Sequence, residues 1–159
     1  MEISYIDKKA LRPAPFYVLL LVQLTLAVGG IQGGWRLISD PTGRSLGIPS
    51  EILTSLPLTS FEMPGTFILV MFGLVPLFLG IALWVRLPWP LAERTLEGCP
   101  YHWAWAASVG LCTLLLFWTG ILFCLLGYRI YYQLIDGLMA LVLLNLLLLP
   151  SVRQAVPHS

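Results

Sequence analysis

The chain has 159 residues, 58% of them hydrophobic and only 11% charged, with a formal net charge of +1. Soluble domains run at about 45–50% apolar and about 25% charged residues, so this composition excludes an ordinary water-soluble globule. The near-cancelled charge gives no sign of a surface built for nucleic acid, and the apolar residues come in long blocks rather than in the periods of half-buried elements. The reading is an all-α, polytopic membrane protein forming one integral domain over 1–159.

Residues 1–13 are a polar head carrying Lys8, Lys9 and Arg12. Ala14 to Gly34 then gives 21 residues without a charge, enough for a span needing about 20. A cleavable signal with Ala27-Val28-Gly29 as its small-residue site competes with this, but the apolar run continues past a usual signal core and three more spans follow. Gly29/Gly33 and Gly30/Gly34 make two overlapping GxxxG pairs, a spacing that either lets helices approach closely or marks fraying into the loop.

Residues 35–63 read as a structured outer loop. Trp35 opens it at the interface, and Asp40-Pro41-Thr42-Gly43 is turn chemistry, with proline suited to the second position and the aspartate able to bond nearby backbone. Gly43 and Gly47 allow positive φ where the chain reverses. Ser50 is placed to cap a short helix over about Glu51 to Ser55, and Ile52, Leu53, Leu56 and Leu58 make the segment apolar enough to lie on the mouth of the bundle or in the interface.

Met63-Pro64-Gly65 opens the second span, proline being tolerated in a first turn. Pro76, between Gly73 and Gly80, predicts a kink there. Residues 86–102 form a second loop with Arg86, Trp89, Arg94, Tyr101 and His102. Its ends, with Trp84, Trp103 and Trp105, carry an interfacial aromatic belt. The third span holds the small pairs Ala106/Gly110 and Gly120/Cys124. Gly127-Tyr128-Arg129 is a tight turn into the fourth span, which a short tail with Arg153 and His158 follows. The expected fold is an antiparallel bundle of four transmembrane helices near 14–34, 64–87, 103–127 and 130–150. Head, second loop and tail hold six Lys/Arg against three (Arg36, Arg44 and Arg129) in the other two loops. The positive-inside rule then places both termini in the cytoplasm and the 35–63 loop outside.

Asp136 is the ionisable residue well inside a predicted span, and such a group is a functional hypothesis whose partner has to be named. Arg129, Gln133 and Asp136 are spaced i, i+4, i+7 on one helical stripe, and the first helix brings Gln32 and Arg36 to the same side of the membrane. The five form a candidate polar cluster in which Arg36 or Arg129 neutralises Asp136, either as a structural ion pair or in transport. No histidine lies in a span, which argues against a haem held between helices. The two His lie far apart and Cys99, Cys112 and Cys124 form no CxxC, so no metal or other cofactor is expected.

Size, topology and the pair Asp40/Asp136 are similar to lipoprotein signal peptidase, but that family's Asn- and Asp-containing motifs are missing, the only Asn being Asn145. The loop resembles more closely a group of uncharacterised bacterial four-span membrane proteins. The residues that carry this are Gly34-Trp35, Asp40-Pro41-Thr42-Gly43, Leu46-Gly47-Ile48-Pro49 and Pro64-Gly65, with Trp118 and Gln133 further on. The resemblance implies a bacterial cytoplasmic membrane and supplies no activity. The expected partners are the lipid bilayer and another membrane protein or a second copy of the chain. The expected function is a non-catalytic accessory or interaction subunit. The alternatives are a small-solute or proton-coupled transporter using Asp136 and, more weakly, an intramembrane aspartyl hydrolase.

Overall fold

The computed structural model describes residues 12–49, 52–53, 59–96, 100–126 and 131–156. Its regular elements are all helices, without a strand among the described residues, and three of its helices are long and apolar enough to cross a membrane.

Helix α1 runs over Ala14–Ser39, 26 residues, or about 39 Å at 1.5 Å per residue. Pro13 precedes it in extended conformation and a second proline falls in its first turn, where a missing N–H costs nothing. It ends at Asp40, whose N–H bonds the Arg36 carbonyl at 2.8 Å. The helix is thus five residues longer than the expected 14–34, and Trp35 and Arg36 belong to it rather than to the loop. The reason is packing: the buried line Phe16, Leu19, Gln23, Leu26, Ala27, Gly30, Gly34 continues in register to Leu37. Leu37 is buried with Ile52 and Phe61 in a small cluster of its own, and that contact holds the last turn helical.

Helix α2, Glu62–Val85, starts two residues before the expected 64 and ends two before 87. Its middle, Leu69–Leu74, is a π-helical turn. Pro76 has no N–H for the carbonyl of Phe72, four residues earlier. The irregularity expected at Pro76 is accommodated one turn upstream, where Val75 N–H bonds Val70 O, five residues back. The helix closes at Arg86, which takes the left-handed conformation (φ 52°), and Leu87 N–H bonds the Ala82 carbonyl at 3.0 Å.

Helices α1 and α2 run antiparallel at glycine distance. A Cβ placed on Gly30 would fall on the Phe72 carbonyl, and one on Gly34 would lie 2.6 Å from Leu69 Cβ and 2.7 Å from the Gly65 carbonyl oxygen. A Cβ on Gly65 would meet Leu37 Cβ at 2.7 Å, and one on Gly73 would meet Ile31 Cγ1 at 2.9 Å. The backbones are as close as they are because four side chains are missing.

A short helix α3 (Pro90–Thr95) lies in the second connection, followed by α4 (Trp103–Leu126) and α5 (Tyr131–Leu148). Helix α5 packs against both α4 and α1. It stops two residues before the expected 150, because Pro150 starts a separate helix α6, Pro150–Ala155, which folds back through buried Val152, Ala155 and Val156. The main core joins Phe16, Leu19 and Leu26 of α1 to Phe72, Leu79 and Leu83 of α2, Leu111 and Leu115 of α4, and Leu143 and Leu147 of α5. Of the short helix expected over Glu51–Ser55, Ile52 and Leu53 are helical; its other residues lie outside the described ones.

Candidate functional site

The first connection is built on one carboxylate. Asp40 Oδ1 accepts from Thr42 N–H at 3.2 Å and from the Thr42 hydroxyl at 2.5 Å, and Oδ2 accepts from Ser45 N–H at 2.8 Å. The Thr42 hydroxyl and then the Ser45 amide hold the Asp40 pKa below its ordinary value, since both donors favour the ionised form. The turn passes into a 3-10 helix, Arg44–Leu46, bracketed by Gly43 at φ 76° and Gly47 at φ 66°. Phe61 covers Gly43, where an added Cβ would come within 3.0 Å of the ring, and Phe61 N–H bonds the Pro41 carbonyl at 2.9 Å. Pro41 therefore ties the two ends of the connection together. Trp35 stands on the last turn of α1, 62% exposed.

The candidate cluster divides. Gln133 lies on the buried line of α5, 4% exposed, and neither its amide oxygen nor its nitrogen has a hydrogen-bond partner. The Thr119 hydroxyl on the facing α4 is also buried without a partner. The two helices touch one turn along from Gln133, where a Cβ on Gly137 would meet Thr119 Cγ2 at 3.5 Å. Asp136 is half-buried beside this line and makes no hydrogen bond or ion pair among the described residues. Gln32 and Arg36 are exposed on α1, and Arg36 likewise has no such partner. No ion pair therefore joins Arg36 to Asp136. Arg129 lies outside the described residues.

Polar contacts at the other end of the molecule are more complete than the sequence reading made them. Trp103 Nε1 donates to the Leu87 carbonyl at 2.7 Å and Trp105 Nε1 to the Leu147 carbonyl at 2.9 Å. Arg86 donates to the Ala155 carbonyl at 3.1 Å, and His102 N–H to the Val156 carbonyl at 3.1 Å. Arg153 stacks over Tyr101 and Trp105. These residues were visible in the sequence as an aromatic belt, but their donor role was not, because it depends on which helix ends fall beneath them. Deeper in the core, Gln23 Nε2 donates to the Ser108 hydroxyl at 3.4 Å, which donates to the Ala104 carbonyl at 2.7 Å. Ser108 had no distinguishing signal in the sequence.

Between α1 and α2 an apolar groove runs over Gly80, walled by Leu20, Leu24, Pro76, Leu77, Ile81 and Trp84. It offers shape but no chemistry. No group of three or more His, Cys, Asp or Glu is placed to hold a metal ion among the described residues. No protein-family model, curated protein or solved structure matches the chain.

Proposed function

We propose that this chain is a four-span subunit of the cytoplasmic membrane, with both termini inside, that works by packing against another membrane chain and not by catalysis. The observation that carries this is the division of its small residues. Gly30 and Gly34 are consumed in the α1/α2 contact, while Cβ atoms built on Gly29, Gly33, Gly110 and Gly120 would have nothing within 4 Å. Lipid tails are as apolar as leucine, so helix association in a bilayer depends on close backbone approach and on polar contacts. Unused glycines on outward helix faces provide the first, and the exposed Gln32 on the same helix as Gly29 and Gly33 provides the second.

The transport alternative draws on Gln133 and Asp136, a buried amide and a carboxylate without partners. It lacks the inverted repeat between halves that many transporters carry. The test is native mass spectrometry from lipid nanodiscs. An assembly heavier than one chain is expected, and replacing Gly33 by Leu should release single chains that keep their helicity. A wild-type chain that remains single in nanodiscs and during gentle extraction would overturn the reading.

A further inference from the structure

The contact between α1 and α2 loosens towards one end. A Cβ on Gly65 or Gly73 would press on α1, but one on Gly80 would come no nearer than 4.0 Å to Gln23. Gly80 therefore makes no tight helix crossing, and its missing side chain opens the floor of the groove walled by Leu20, Leu24, Pro76, Leu77, Ile81 and Trp84. The space is about 190 Å³, more than the ~150 Å³ at which an apolar cavity takes up benzene. Leu24, Ile81 and Trp84 stand about half-exposed, so the groove opens away from the bundle, to the lipid. From Pro76 to Trp84 it extends about 12 Å along α2.

The walls are apolar, and the chemistry stands at the mouth. Trp84 is the last wall, and the Arg12 guanidinium lies 5.7 Å from the centre of its ring and 4.4 Å over Phe16. Arg12 Nη1 donates to the Leu83 carbonyl at 3.2 Å, which holds it beside Trp84. Arg86 follows at the close of α2 and donates to the Ala155 carbonyl at 3.1 Å. Both acceptors are neutral, and among the described residues no carboxylate pairs with either arginine. The two charges act on each other: burial and then the neighbouring Arg86 hold the Arg12 pKa below its ordinary value.

A guanidinium carries five N–H donors, and each of these two spends one on a carbonyl. Like charges at close range disfavour each other, and an anion between them relieves both. Phosphate suits the task, because its oxygens accept two parallel N–H bonds from the guanidinium fork. A free phosphate would leave the groove unused, and an apolar helix would leave the charges unmet. A ligand that meets both features carries phosphate at the level of Trp84 and hydrocarbon running inward to Leu24 and Pro76. Basic pockets between helix ends hold anionic lipid head groups in this way.

We propose that the α1/α2 groove binds one anionic glycerophospholipid, its phosphate between Arg12 and Arg86 and one acyl chain over Gly80. This goes beyond the interaction reading and does not depend on it. Native mass spectrometry of the full chain in detergent, titrated with phosphatidylglycerol or with phosphatidylcholine of the same acyl chains, measures each affinity. One phosphatidylglycerol should bind about tenfold more tightly than phosphatidylcholine, at about 1 kcal/mol for each arginine. Arg12→Gln keeps a donor for the Leu83 carbonyl and should lose much of that preference, and Arg12→Gln/Arg86→Gln should lose all of it. Gly80→Leu fills the groove and should weaken phosphatidylglycerol about tenfold with helicity unchanged. Arg94→Gln removes an exposed charge from the same connection and should leave the preference as it was. Glycerol phosphate, which has no acyl chain, should not displace the lipid.

Equal binding of the two lipids overturns the proposal. So does a preference that survives in Arg12→Gln/Arg86→Gln, or one that Arg94→Gln lowers as much, since charge would then act from the surface at large. Unchanged binding in a helical Gly80→Leu chain removes the groove from the site, as does displacement by glycerol phosphate. A second membrane chain that excludes the lipid on assembly would make the groove a helix contact, and would also sink the proposal.

Discussion

Gln133 leaves both polar atoms of its side chain unmet among the described residues. A buried amide has lost its water and here recovers no hydrogen bond, which costs about 1–3 kcal/mol. Leucine has a similar volume and no such cost, so Gln133→Leu should raise the melting temperature in detergent by a few degrees. A fall instead would mean that a group outside the isolated chain satisfies the amide in the membrane, and would favour the transport alternative. Asp40 is the opposite case, an exposed carboxylate whose every contact is local. Its pKa is lowered in the folded chain, so its contribution is fully present above the unfolded value near 4 and is lost as pH falls through the lower, folded value. Amide exchange at Thr42 and Ser45, measured against pH, should therefore be protected at neutral pH and speed up beyond its intrinsic trend in acid. Asp40→Asn should lose much of that pH step. An unchanged step in the Asn variant would place the titration elsewhere.

At the scale of the element, the decisive contact is the glycine crossing of α1 and α2. Gly30→Ala and Gly34→Ala put a methyl group onto backbone, at Phe72 and at Leu69 and Gly65, and each should cost about 1–3 kcal/mol by overpacking, partly offset by alanine's better helix propensity of about 1 kcal/mol. Gly29→Ala meets open space and should keep the propensity gain alone in the single chain. Thermal unfolding of the three variants in one detergent separates these outcomes, and equal effects would mean the crossing is wrong. Before any fold is known the two GxxxG pairs are equivalent. Helix α1 is leucine-rich on all sides, so hydrophobicity does not mark its buried face, and only the position of the Phe72 carbonyl against Gly30 tells the pairs apart. The presence of the long apolar helices and the turn at Asp40–Gly43 were legible because they depend on local composition and turn chemistry. The extension of α1 past Gly34 was not, because Trp35 and Arg36 look like loop residues while the backbone beneath them is held helical by Leu37. Nor was the missing Arg36–Asp136 contact, since equal depth on neighbouring helices does not fix which flank each side chain occupies.

For the whole molecule, the distribution of cations decides orientation. Arg12, Arg86 and Arg153 gather at one end. Arg12 donates to the Leu83 carbonyl at 3.2 Å and lies 4.4 Å over Phe16, and Arg86 binds the close of α6 at Ala155. Trp84, Trp89, Trp103 and Trp105 belong to this same end, Trp89 and Trp103 packing edge to face at 5.1 Å between ring centres. The opposite end carries Arg36 and Arg44 among the described residues. Charges near span ends set orientation through the excess of Lys and Arg on the cytoplasmic side, and the polar head adds Lys8 and Lys9 in sequence before Arg12. The arginine-rich end should therefore face the cytoplasm and the Asp40 turn should face out. The measurement uses a chain with Cys99, Cys112 and Cys124 replaced by serine and a single new cysteine at Thr42 or at Ser159. A membrane-impermeant maleimide applied to intact spheroplasts should label Thr42→Cys, and should reach Ser159→Cys only after the membrane is opened. Labelling at Ser159→Cys in sealed spheroplasts, with none at Thr42→Cys, would invert the protein. Equal labelling at both would mean an even number of spans between them, and the helix that fails to cross would have to be sought first in α5, whose described apolar stretch, Gln133–Leu148, is the shortest of the four.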